Sequence, residues 1–137
     1  MKTYRIINLF FAGVAAIILL YSGIFSTEKS DYPIRCIHKN LLGYECSSCG
    51  LSRGFSEAVR GNFSEAEQLN LNTLKIFIFI AGQFMLRLLI AIVLKLQPLQ
   101  FNKIIRFDIF ASAIWFIYAW FGLIADTLTI ISKTLKF

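Results

Sequence analysis

Three long apolar blocks leave this chain very few folds. They cover residues 6–25, 74–96 and 107–126. About 20 residues at 1.5 Å rise cross the roughly 30 Å hydrocarbon core of a bilayer as a helix. Only helices and closed barrels satisfy their backbone polar groups there. The blocks account for the excess of hydrophobic residues, which make up 57% of the 137, against about 45–50% in soluble domains. The expected fold is an all-α integral membrane protein, a single domain over residues 1–137. It has three transmembrane helices, with a cysteine-containing loop and short helices between the first two. The first block is longer than the about 7–15-residue apolar region of a cleaved signal peptide, and no A-x-A-like site follows it. It reads as an uncleaved anchor.

The formal charge is +6. The basic residues flank apolar blocks, where they act as topology determinants and lipid headgroup contacts. No basic stripe with interleaved exposed aromatics is present, so nucleic acid is not an expected partner. Lys2 and Arg5 precede the first block, and Lys95, Lys103 and Arg106 surround the short connection between the second and third. The positive-inside rule therefore places the N-terminus in the cytoplasm, and the loop 26–73 and the C-terminus outside. The tail from Thr127 carries Lys133 and Lys136 and reads as an extension of the third helix past the membrane surface.

The 26–73 loop is too small for a core of its own. Pro33 disfavours helix at Tyr32. A short helix is expected over about Ser52–Arg60, with Phe55 and Val59 on one face, ended by Gly61 as a left-handed cap. Asn62 and Glu65 have capping-box spacing for a following helix, which is expected to run from Phe63 straight into the second span. Cys36, His38, Cys46 and Cys49 lie within 14 residues. Outside the cell a disulfide persists, and Cys36 with Cys46 or Cys49 would staple the loop. Cys46 and Cys49 as a redox pair near a helix start and Arg53 is a second reading. A Cys3His zinc site from Cys36, His38, Cys46 and Cys49 is a third; apart from zinc, no cofactor is expected. Arg53 either binds an anion through its planar fork or ties the loop to backbone carbonyls or to Glu57.

The run Cys36, Cys46-Ser47-Ser48-Cys49-Gly50-Leu51-Ser52-Arg53, Gly61, Ala66 and Asn70 resembles the DUF2752 family of small bacterial membrane proteins. That pattern is an upstream cysteine, then C-P-x-C-G-L-T-R, a glycine eight residues after the arginine, and an alanine and N-P beyond it. Ser47 stands where proline is usual, and Leu71 replaces the proline after Asn70. The resemblance covers about a quarter of the chain and implies a bacterial inner-membrane location. The family's function is unknown, so it supplies Gly50, Arg53, Gly61 and Asn70 as motif residues and no reaction.

Inside the second block, Gln83 and Arg87 lie one turn apart on one face. An arginine at mid-span costs about 2.5–3.5 kcal/mol on insertion scales and faces protein or water. Either it contacts a ligand or partner, or it snorkels or bonds a Tyr or Ser of another span. Asp108 and Asp126, at the ends of the third block, look mismatched in depth, which points to a counter-charge from another chain. No Ser-His-Asp set, phosphate loop or carboxylate pair can be assembled. The expected function is binding, as an accessory subunit in contact with lipid and with other membrane proteins or further copies of itself. The alternatives are a membrane thiol–disulfide oxidoreductase using Cys46 and Cys49, and a zinc-stabilised binding module.

Overall fold

The computed structural model describes residues 2–25, 47–96 and 101–134. Five helices form in this part: α1 Lys2–Ile24, α2 Leu51–Val59, α3 Phe63–Leu69, α4 Thr73–Leu96 and α5 Phe101–Thr134. Among them, α1, α4 and α5 are long and apolar enough to cross a membrane. The fold is all-α, with three membrane-length helices and two short ones between the first and second. Cys36, His38 and Cys46 lie outside the described residues, as does Lys136.

The three long helices do not form a closed triangle. Both α1 and α5 pack on α4, and α1 and α5 make no close backbone approach among the described residues. On α1 the buried positions are Asn8, Ala12, Ala15 and Ser22, a stripe of small and polar residues at helical spacing. Such stripes let membrane helices approach closely where lipid removes the hydrophobic drive for association. The facing side of α4 buries Ile76, Ile90 and Leu94. Between α4 and α5 the close approach is at Gly82, where any Cβ would run into the Trp115 indole. Phe79 packs edge-on against Trp115 at 5.7 Å and contacts Phe116 at 5.8 Å.

At the other end of the bundle, α2 and α3 form a cap on α1 and α4. Phe55 meets Phe77 edge-on at 5.9 Å. Gly54 lies over the first residue of α4, where a Cβ would stand 2.8 Å from Thr73 Cγ2. Gly61 has φ 87 and ends α2 as the sequence requires. Two local expectations change. Asn62 begins α3 without a side-chain cap bond. Its amide instead donates to Glu57 Oε2 at 2.7 Å, back across the turn, which draws it away from the capping-box geometry. Nor does α3 run into α4. Asn70 is extended and its Oδ1 accepts the Asn72 backbone N–H at 2.9 Å, an Asx turn that breaks the helix before Thr73.

The third membrane helix is also longer than the apolar block suggests. At 34 residues it measures about 51 Å. Asp108 lies two turns inside it and is 2% exposed; as an apparent boundary residue it is instead part of the bundle interior. The Gly82 approach gives a direct test. Gly82→Val forces the Trp115 ring away from α4, and overpacking of this kind costs about 1–3 kcal/mol; denaturant unfolding in detergent micelles should show a loss in that range.

Candidate functional site

The polar side chains of the spans converge on Arg87. Its Nη1 contacts Asp108 Oδ2 at 2.5 Å, with the two side chains 12% and 3% exposed. Its Nη2 donates to Gln83 Oε1 at 2.9 Å and to Ser112 Oγ at 3.0 Å. Ser112 donates to Asp108 Oδ1 at 3.1 Å. From α1, the Tyr4 hydroxyl donates to Asp108 Oδ2 at 2.7 Å, and Asn8 donates to the Arg87 backbone carbonyl at 2.9 Å. Phe11 lies beside the guanidinium, 5.9 Å from ring centre to Cζ. One cluster therefore draws on all three membrane-length helices.

This corrects the expectation that another chain supplies the counter-charge. The short connection between α4 and α5 makes them antiparallel neighbours. Arg87 is nine residues before Leu96, and Asp108 is seven after Phe101. At 1.5 Å per residue these are about 13 and about 10 Å from the shared end, so the two charges stand at nearly the same height. Asp108 mismatches Arg87 only if it is taken as the membrane boundary. Gln83 and Arg87 on α4, and Asp108 and Ser112 on α5, are both i, i+4 pairs and so present two groups each toward the seam. That shared spacing was the available sequence signal for Ser112. Tyr4 had none. Asn8 stood out only as a polar residue in an apolar block.

A second cluster holds the motif residues. Gly50 has φ 83 and begins α2. A Cβ there would strike the Leu69 carbonyl oxygen, so the position demands glycine for both conformation and space. Asn70 donates from Nδ2 to the carbonyls of Ser47 at 2.8 Å and Cys49 at 3.0 Å. Asn70 thus clamps the Cys49-Gly50 turn against the α3–α4 break. Ser47 Oγ pairs with Thr127 Oγ1 at 2.7 Å, a bond that a proline at this position does not make. Asn72 donates to Asp126 Oδ2 at 3.1 Å and packs over Gly122. Asp126 is therefore matched with Asn72, not with Arg87.

Cations also close the helix ends. Arg5 donates to the Leu94 carbonyl at 3.1 Å in the last turn of α4. Arg60 donates to the carbonyls of Gly23 at 3.3 Å and Phe25 at 2.8 Å, satisfying the end of α1. The Arg53 side chain forms neither an ion pair with Glu57 nor a hydrogen bond among the described residues; Asn62 donates to Glu57. Cys49, directly before the Gly50 turn, is disulfide-bonded.

Residues 36–84 match the model of the DUF2752 family, described as a protein of unknown function. This is the family that the cysteine motif resembles, and the match takes in the cap and the first half of α4. No curated protein and no solved structure matches the chain.

The geometry ranks the side chains. Asn70→Ala removes two bonds to the Cys49 turn and leaves their acceptors short of a donor, a loss of about 1–3 kcal/mol. Hydrogen exchange should accelerate across residues 47–55. Tyr4→Phe removes one bond of the Arg87 cluster and Asn8→Ala removes two, and membrane hydrogen bonds of this kind average about 0.6 kcal/mol with a maximum near 1.7. Unfolding in micelles should show a loss for each that does not exceed the Asn70 effect.

Proposed function

We propose, for a chain whose cap matches a family without an assigned activity, that this protein is a non-catalytic accessory subunit of a membrane complex. Its docking surface is the outward side of α5. The observation that carries this reading is a heptad ladder. Phe107, Ile114, Phe121 and Leu128 recur at seven-residue steps, and a second rung of large apolar residues, from Phe110 to Ile131, stands three positions on. All eight side chains are between 48% and 70% exposed. A period of 3.5 keeps such a seam facing one partner along its whole length. From Phe107 to Ile131 it runs about 36 Å, longer than the hydrocarbon core needs. The occupant is a helix of another membrane protein. The Arg87 cluster supports this division of labour, since its charges neutralise one another within the chain and hold the three helices in place.

On this reading, the N-terminus is cytoplasmic, and the loop with its cap lies outside, stapled by Cys49 to Cys36. The bonded state of Cys49 supports the staple over zinc. It is also compatible with the alternative reading, a thiol–disulfide oxidoreductase using Cys46 and Cys49 at the start of α2. Peptide mass spectrometry with and without reductant separates these. A staple gives one fixed cysteine pair that persists in a dithiol buffer poised for redox enzymes, whereas a working redox pair exchanges there.

The docking face is tested by photocrosslinking in native membranes. A photoreactive residue at Ile114 and one at Phe121 should each trap the same membrane protein, and the Ile114→Ala, Phe121→Ala double variant should weaken its co-purification at least about tenfold. The same probe at Leu9 or Phe10, exposed on α1, should trap lipid only. Crosslinks from α5 to lipid alone, or to a second copy of this chain, contradict the proposal.

A further inference from the structure

Charged residues on α1 and α4 mark where a bilayer meets this bundle. At one end Arg5 donates to the Leu94 carbonyl, so the two helices are level there, with Lys95 beside them. The exposed Lys75 stands 20 residues from Lys95 on α4. That is about 30 Å, one hydrocarbon thickness. Measured from the Arg5–Leu94 level, Gly23 on α1 is about 27 Å up and Thr73 on α4 about 32 Å. Both residues are contacts of α2. Gly54 lies over Thr73, and Val59 packs on Gly23, its Cγ1 3.6 Å from where a Cβ would stand. Helix α2 therefore lies across the end of the bundle near the plane of the hydrocarbon boundary, with its Val59 end the deeper.

The turn from α2 to α3 sits at that deeper end. Two apolar side chains flank it and stand open: Val59 is 39% exposed and Phe63 53%. Between them Arg60 reaches back to the Gly23 and Phe25 carbonyls. Helix α3 then returns along α2, so that the Leu69 carbonyl meets Gly50 at the start of α2. Its acids, Glu65 and Glu67, are exposed. Apolar side chains beside an arginine, at the height where the spans leave the hydrocarbon, suit the acyl–headgroup boundary of a lipid leaflet. Residues 51–69 hold two arginines and three glutamates. Attraction to anionic lipid is therefore not what would hold the turn there; apolar contact is.

We propose that the α2–α3 turn is a lipid-seated edge of the cap. Val59 and Phe63 insert among the outermost acyl carbons of the leaflet at this end of the bundle, and Arg60 holds the headgroup level. This seat fixes the height and tilt of the cap, and with them the distance of the Cys49 turn from the membrane surface. The seat lies beside the end of α1. It does not depend on what docks on α5, so it stands or falls separately from the docking surface.

The test is photocrosslinking of the full chain in phosphatidylcholine nanodiscs, with benzoylphenylalanine placed at Val59, Phe63 or Glu67. The Val59 and Phe63 probes should form adducts on acyl carbons near the ester, at least about tenfold above the Glu67 probe. Replacing about a third of the lipid with phosphatidylglycerol should leave those yields within about twofold. The Val59→Asn, Phe63→Asn double variant changes only exposed positions. In nanodiscs it should speed hydrogen exchange across residues 51–69 at least about threefold and leave α4 at wild-type rates. Adduct yields at Val59 and Phe63 no higher than at Glu67 overturn the proposal, as does wild-type exchange in the double variant. A protein adduct in place of the lipid one, when the same probes are used in native membranes, overturns it too. Yields that rise about tenfold with phosphatidylglycerol overturn the apolar seat.

Discussion

A guanidinium buried among hydrocarbon has to find its counter-charge and its acceptors within reach, and in this protein that requirement organises the bundle. Arg87 meets Asp108 on α5, keeps Gln83 and Ser112 as further acceptors, and receives an amide from α1 on its own carbonyl. Lipid gives the three helices little reason to associate, because their outer faces are as apolar as the chains around them. The polar cluster supplies a specific reason. It sets the height of α5 against α4, since Asp108 bonds Arg87 only in one register. It also brings α1 to the same level through Tyr4 and Asn8.

The same architecture explains why the two ends of the molecule differ. At the end shared by α4 and α5, the connection is short and the ion pair fixes their register. At the other end, α5 is tied through Thr127 and Asp126 to Ser47 and Asn72, which belong to the cap. Asn70 is the hinge of this arrangement: one side chain both shapes the break before α4 and holds the turn that contains Cys49. The motif glycine and asparagine, 20 residues apart, thus serve one junction. The serine in place of the usual proline adds a bond to α5 that proline lacks.

Much of this was legible in the amino-acid sequence. Three apolar blocks of spanning length, the left-handed glycine at 61 and the short helix before it all follow from local rules. Arg87 was legible as a residue that must be partnered. Its partner was not, because Asp108 stands at the edge of the apolar block, and hydropathy cannot distinguish a charged residue at a boundary from one paired inside. Counting residues outward from the short α4–α5 connection places the two charges at one height, but only once the third helix is known to start at Phe101. The break at Asn70 was hidden for a different reason. It depends on an asparagine side chain bonding its own backbone two residues on, which competes with a helix pattern that continues through Leu71. Ser47, Tyr4 and Asn72 act across more than 50 residues of sequence, and no local pattern marks them.

Arg87 and Asp108 are coupled through a direct bond and hold the bundle together. A double-mutant cycle with Arg87→Met and Asp108→Leu, read by reversible unfolding in micelles, measures that coupling. Each single substitution strands a buried charge and should cost about 3–5 kcal/mol. The double variant, with two apolar side chains of similar size in contact, should recover most of that loss. Additive single effects, with no recovery in the double variant, would mean that the two residues do not hold the bundle through a shared bond.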